Sequence, residues 1–120
     1  DGRALLAVQS VTGRLWRFDL RSDRVDPVPV TAGADLTGGD GLVLRGDTLY
    51  VVRNFPRQLV SLRLTGGFSR ATLLAAVATD ADRVFTTAAY DRGRLLAVDS
   101  RFDDGAAAAP PYQVVALPVR

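Results

Sequence analysis

Six amino-acid types are absent from the 120-residue sequence: cysteine, histidine, methionine, lysine, glutamate and isoleucine. Without cysteine no disulfide can form, which leaves the redox state of the compartment open. Without cysteine and histidine, a zinc site of the usual ligands and the catalytic triads that depend on either residue are excluded. The absence of methionine predicts that the chain is a processed or cut piece and not an intact primary translation product.

The charged residues are of two types only, 15 arginines and 13 aspartates, and they give a formal net charge of +2. With 48% hydrophobic and 23% charged residues, the composition is typical of a globular domain. No apolar run reaches 18 residues, which excludes a membrane-spanning helix of the usual length, and no signal peptide is visible. We therefore expect one globular domain with no membrane partner.

A repeat dominates what is present. Apolar runs after Gly-containing turns recur at intervals of 44 and 46 residues, at positions 5–10, 49–54 and 95–100. A second run follows each, at positions 15–20, 59–64 and 114–119. A period of this length with about four strands in each copy is typical of β-propeller blades.

The fold class predicted from the repeat is all-β, with ten strands grouped as three, four and three. This amounts to about two and a half four-stranded antiparallel meanders, with blades at approximately 1–30, 40–78 and 82–119. The first blade lacks its innermost strand and the last lacks its outermost one. A two-sheet sandwich is the competing fold, and the repeat argues against it because sandwiches need no such period.

Three segments need separate interpretation. Residues 25–30 contain two prolines, which cannot donate to a ladder, so they are expected at a sheet edge. Residues 71–78 are apolar enough for a helix, but they occupy the slot of an outermost strand and are interpreted as one. Residues 101–111 interrupt the repeat and contain a nine-residue insertion rich in Asp, Gly and Ala, expected to be a flexible surface loop. Packing between blades is predicted for Leu5, Leu6, Val8, Trp16, Phe18, Leu42, Leu44, Leu49, Val51, Leu59, Leu62, Leu95 and Val98.

The segment Gly39-Asp40-Gly41-Leu42, followed by residues 47–54, resembles the gluconolactonase / senescence-marker-protein (regucalcin-like) family of six-bladed β-propellers. That family repeats an Asp-Gly-Leu motif, a strand and a Gly-x-Leu-Tyr-Val motif. Residues 86–87 and 93–103 are similar to the closing part of secreted bacterial members. The resemblance covers nearly the whole chain, and it implies the C-terminal part of a larger six-bladed propeller that is secreted or periplasmic.

The resemblance also implies a site. In that family a Glu, an Asn and an Asp at the starts of innermost strands hold a divalent metal, and the Asp of its Asp-Gly motif corresponds to Asp40. Asp40 is thus implied as metal ligand and catalytic residue, with calcium or zinc as cofactor. The sequence contains no Glu, and the equivalent slot of the next blade holds Thr86 and Thr87. The other ligands would belong to blades absent from this chain.

The implied function is part of a metal-dependent, lactonase-like propeller that hydrolyses sugar lactones and is inactive alone. Its partners would be the missing blades or a second copy, and its substrate a small-molecule lactone. The alternative is a non-catalytic propeller that acts as a binding or scaffold module. For Asp40 itself, a carboxylate at a channel mouth suits a hard cation or a general base, whereas an Asp-Gly pair also simply makes a turn into a strand.

Three further patterns are weaker evidence for function than the Asp-Gly motif. Arginines interleaved with Trp16 and Phe18 suggest a nucleic-acid surface, but neighbouring aspartates cancel most of the charge, and no nucleic-acid partner is predicted. Asp99, Asp103 and Asp104 suggest a calcium loop, although their spacing does not fit the EF-hand pattern. Residues 38–41 lack the lysine and the following helix of a phosphate-binding loop.

Overall fold

The computed structural model describes residues 2–107 and 109–119, apart from the side chains of 106 and 107. The predicted domain, residues 1–120, therefore includes three positions outside the described part. These are Asp1, in the predicted first turn, Ala108, in the predicted insertion, and Arg120.

The described residues form ten β-strands and one short 3-10 helix, which confirms the all-β class. The strands make three antiparallel sheets of three, four and three strands, each in sequence order, as predicted. The sheets do not close into a ring. No described helix is long and apolar enough to cross a membrane. The elements are β1 (Ala4–Gln9), β2 (Arg14–Asp19), β3 (Val25–Val28), β4 (Gly39–Arg45), β5 (Thr48–Arg53), β6 (Gln58–Thr65), β7 (Arg70–Ala78), β8 (Phe85–Asp91), β9 (Arg94–Asp99), η1 (Phe102–Ala107) and β10 (Gln113–Pro118).

The strand neighbours follow the predicted meanders. Strand β4 pairs with β5, with Leu42 opposite Val51. Strand β3 lies at the edge of the first sheet, as its prolines predict, and Val30 beyond it forms an isolated parallel bridge with Ala71. Residues 71–78 belong to strand β7, which rules out the helical alternative.

Two apolar cores hold the three sheets together. The first core lies between the first and second sheets and is built around Leu15, Leu49, Val51 and Leu62. The second core lies between the second and third sheets, where Tyr50, Val52 and Leu59 meet Phe85, Leu95 and Ala97. Successive residues of strand β5 point to opposite faces, so this central strand contributes to both cores.

The predicted packing residues are partly wrong. Leu5 is 56% exposed and Leu44 is also exposed, whereas Leu15, which was not predicted, is 1% exposed. The reason is the alternation along β2: Leu15 points toward the second sheet, while Trp16 and Phe18 point away from it. Both faces of the first sheet are apolar, and among the described residues only one of them has a neighbouring sheet.

Each end of the array therefore presents an uncovered apolar face. The first end face consists of side chains brought together by the pairing of β1, β2 and β3: Leu5, Ala7, Trp16, Phe18 and Val25. The second end face lies on the third sheet, on the side opposite the second core. It consists of Ala89, Leu96, Val98, Val114 and Ala116. Val114 on this face is exposed.

The predicted insertion, residues 101–111, is described except for Ala108 and the side chains of residues 106 and 107. It contains the 3-10 helix η1, and Arg57 of the β5–β6 turn forms an ion pair with Asp103 at 3.0 Å. Arg101 pairs with Asp104. Asp99 contacts Arg83 at 3.3 Å, so all three aspartates considered for a calcium loop form ion pairs with arginines. The pair of Arg57 with Asp103 ties the loop to the neighbouring sheet.

Candidate functional site

The site predicted from the sequence lies where two strands are irregular. The pairing of β4 with β5 shifts register between Gly39 and Leu42, so Asp40 and Gly41 form a bulge. The pairing of β8 with β9 shifts between Phe85 and Ala88, which puts Thr86 and Thr87 in a second bulge. Bulges bend a strand and redirect side chains, and they are frequent beside functional sites.

The two bulges touch each other. A Cβ atom added to Gly41 would lie 2.5 Å from the Cα of Thr87 and 2.8 Å from the carbonyl oxygen of Thr86. Only a residue without a side chain allows this approach of two backbones. The Asp-Gly pair thus fixes the contact between β4 and β8, and it leaves the side chain of Asp40 exposed.

Asp40 has one hydrogen-bonded neighbour of note. The Asn54 Nδ2 amide donates to Asp40 Oδ2 at 3.2 Å, and the Asn54 Oδ1 oxygen accepts the Phe55 backbone N–H at 2.6 Å. This pair ties the start of β4 to the end of β5.

The described residues do not fit the implied calcium or zinc site. No three His, Cys, Asp or Glu side chains converge anywhere in the described part of the chain. The Asn54 side chain turns its N–H donor toward Asp40, and its oxygen already accepts a hydrogen bond. Oxygen ligands directed at one point are what a hard cation requires, and this pair supplies a single free carboxylate.

A buried arginine forms a second polar cluster at this end of the second sheet. Arg53 Nε donates to the Thr37 carbonyl oxygen at 2.7 Å, and its Nη2 atom lies 2.8 Å from Asp35 Oδ2. Arg53 also donates to Gln58. The hydroxyl of Thr37, its backbone N–H and Arg53 together hold the pKa of Asp35 below its usual value. The cluster joins the loop before β4 to the β5–β6 hairpin.

The third sheet repeats this cluster with the charges exchanged. Arg83, in the loop before β8, contacts Asp99 at the end of β9 at 3.3 Å, Asp80 at 3.2 Å, and Gln113 at the start of β10. Positions 37 and 83, like 53 and 99, are one repeat apart. The sequence prediction missed both clusters. The repeat offset aligns Arg53 with Asp99, but it does not align Asp35 with Arg83, so the repeat indicates only one member of each ion pair.

Comparisons with known proteins give one informative result. No protein-family model matches the chain, and no curated protein matches it. The crystal structure of the major allergen Mala s 1 of Malassezia sympodialis is similar, with a TM-score of 0.69 and 23% sequence identity. The match covers 94% of this chain and 37% of that one, so this chain spans about a third of the length of that protein. At this identity the likeness concerns the fold alone.

The predicted membership of the gluconolactonase / regucalcin-like family is wrong. The similar structure is the Mala s 1 allergen, and the chain forms three small antiparallel sheets, not a propeller of regucalcin type. The motifs that suggested the family are a turn followed by an apolar strand. Any antiparallel meander uses this combination, so the pattern predicts strands correctly without specifying the family.

Proposed function

We propose that the three sheets are consecutive blades of a β-propeller and that the protein is a non-catalytic binding module. The partners of this module cover its two apolar end faces. The observation that carries the proposal is the presence of an uncovered apolar face at each end of the array, on sheets whose opposite faces are packed. Exposed contiguous apolar surface of this kind marks interaction sites.

Three features support the blade interpretation. The sheets are sequential meanders, they follow the repeat in the sequence, and each packs face to face on the next. The strands β4 and β8, each first in its sheet, lie against each other at their bulges. Radial repetition of such sheets is how propellers protect their edges.

The test is the mass of the protein in solution, measured by light scattering at micromolar concentration. We expect species larger than the 12.8 kDa monomer, because a second copy can cover an end face. Phe18→Asp and Val114→Asp place a charge on the first and second end faces, respectively, and each should lower the mass. Val11→Asp, in the exposed β1–β2 turn, is the matched control and should not.

A stable wild-type monomer at all accessible concentrations contradicts the proposal that the end faces bind partners. A mass that falls equally in Val11→Asp assigns the association to charge in general and not to the end faces.

Metal-dependent lactone hydrolysis is the second candidate, and the described residues supply only one group for it, the exposed carboxylate of Asp40 at the two adjoining bulges. The remaining ligands or acid–base groups would come from outside the described residues. We expect no turnover of sugar lactones by this chain alone, with or without calcium or zinc. Metal-dependent turnover that is abolished by Asp40→Ala would establish this second candidate instead.

A further inference from the structure

A groove lies between the edge of the third sheet and the face of the second. The third sheet has three strands and the second has four, so nothing in the third sheet lies opposite the outer strand β7. The resulting β7–β10 groove has a volume of about 170 Å³ and mainly apolar walls. It is lined chiefly by Tyr50, Leu59, Ser61, Ala75, Val77 and Leu117.

The outer edge of strand β7 shows which kind of segment can pack beside this strand. At its outer edge, β7 pairs with the segment that follows β3 through an isolated parallel bridge at Ala71: the Ala71 N–H donates to the Pro29 carbonyl at 2.9 Å, and the Thr31 N–H donates to the Ala71 carbonyl at 3.1 Å. Ala71 is accordingly 3% exposed, whereas Val77, on the groove side, is 41% exposed. Within this fold, extended chain is what covers the outer strand.

Two hydroxyl groups line the groove. Tyr50 and Ser61 are both buried residues, and they are directly paired neighbours on β5 and β6. The structure shows no hydrogen bond from either hydroxyl to another described residue. Among the described residues, the only buried side-chain polar atom without a partner is Arg57 Nε, so both hydroxyls are accessible and can form hydrogen bonds to the polar backbone groups of an occupant.

The groove also borders a free strand edge. Strand β10 pairs only with β9 among the described strands, so the outward N–H and C=O groups along its other side are available for pairing. Main-chain hydrogen bonds to such an edge, with pockets for alternate side chains, are the basis of strand addition.

We propose that the β7–β10 groove binds an extended peptide strand, which pairs antiparallel with β10 as the fourth strand of the third sheet. The partner carries small or medium-sized apolar side chains at alternate positions. This inference rests on the proposed function as a binding module and names the class of partner. Strand β7 itself is the template, because it adds to β6 in the same position and turns Ala71 and Leu73 toward the neighbouring sheet.

The experiment uses the Phe18→Asp protein, so that association through the first end face does not interfere. A synthetic peptide with the sequence of residues 69–79 is titrated against it by calorimetry, with circular dichroism to verify the fold. We expect saturable binding. The peptide with Asp in place of its Leu73 should bind at least about tenfold more weakly, because it places a charge against apolar walls.

Two protein variants locate the site. Ala75→Phe fills the groove and should weaken peptide binding at least about tenfold. Ala76→Phe adds the same ring to the opposite, exposed side of β7 and should leave binding unchanged. Equal affinity for both peptides, or equal effects of both variants, would place binding elsewhere and overturn the proposal.

Two other outcomes also overturn it: a folded protein that shows no saturable peptide binding, or a groove that takes up toluene but not the peptide, which would make it a small-molecule site. Failure of the proposed function is seen separately, because the light-scattering test concerns the outward end faces and not this inward groove.

Discussion

At the scale of single residues, the alternation of side chains along each strand determines the cost of a substitution. Val51 lies in the first core and is fully buried, while Val11 in the β1–β2 turn is 89% exposed. These two valines provide a matched pair, because the same change can be made at both positions.

We expect Val51→Asp to lower the free energy of unfolding by at least about 3 kcal/mol, because it buries a charge with no partner. Val11→Asp should change it by no more than about 0.5 kcal/mol. Urea denaturation followed by circular dichroism measures both. Similar midpoints for the two variants would mean that the core around Val51 is accessible to water.

Asp19 makes the stability depend on pH. Its carboxylate accepts backbone N–H hydrogen bonds from Arg21 at 2.9 Å and Ser22 at 3.1 Å, and these lower its pKa to about 2. Because this pKa lies below the unfolded value of about 3.9, the stabilisation is complete above the unfolded pKa. It is lost as the pH falls through about 2.

The corresponding prediction is that Asp19→Asn reduces the acid dependence of stability. The urea midpoint of the wild-type protein should fall between pH 5 and pH 2 by more than that of the variant. Asp23→Asn serves as control and should retain the wild-type slope, because Asp23, which follows Ser22 directly, takes part in neither hydrogen bond. Parallel curves for wild type and Asp19→Asn would show that this turn does not contribute.

At the scale of elements, the two bulges show how one glycine positions two sheets. We expect Gly41→Ala to lower the free energy of unfolding by about 2–3 kcal/mol, because its Cβ atom would push against the backbone of β8. The amide groups of β8, in the other sheet, should exchange with solvent faster.

Gly46→Ala is the control for Gly41→Ala. Gly46 has φ +59° in the β4–β5 turn, and no atom lies within 4 Å of an added Cβ. Its cost of about 1–2 kcal/mol comes from local backbone strain, so exchange in β8 should not change. Unchanged β8 exchange in Gly41→Ala would mean that the two strands separate easily.

The strands could be predicted from the sequence, whereas the surroundings of each strand could be predicted only in part. Alternating apolar residues and turn glycines predict all ten strands, and the prolines near Val28 predict an edge. The pattern around Leu15, Trp16 and Phe18 marks two apolar faces, but which face is covered depends on where the neighbouring sheet lies. The Arg53–Asp35 ion pair joins residues of two elements, and no local pattern encodes it.

The candidate site could likewise be predicted only in part. The sequence identified Asp40-Gly41 and Thr86-Thr87 as equivalent positions, and the structure brings them into contact. The chemistry assigned to Asp40 came from a family resemblance, and the hydrogen bond from Asn54 depends on the end of another strand. The sequence pattern does not encode the geometry between elements, and this geometry determines which groups surround the carboxylate of Asp40.

At the scale of the whole molecule, the proposed association through the end faces would make the stability of the protein depend on its concentration. Association of folded copies stabilises the folded state by mass action, so the melting temperature should rise with protein concentration. Phe18→Asp should flatten this dependence, and Val11→Asp should retain it. Differential scanning calorimetry across a hundredfold concentration range makes the comparison. A wild-type melting temperature that does not change with concentration would count against association through these faces.

The single tryptophan of the chain lies on the first end face. Its indole N–H is 3.4 Å from the side-chain oxygen of Gln9, and its ring is half-buried. The protein therefore carries its own optical reporter. The fluorescence of Trp16 should shift to shorter wavelength when a partner excludes water from this face, and should remain unaltered when a peptide enters the β7–β10 groove. The wavelength of maximum emission would then distinguish binding at the first end face from binding in the β7–β10 groove.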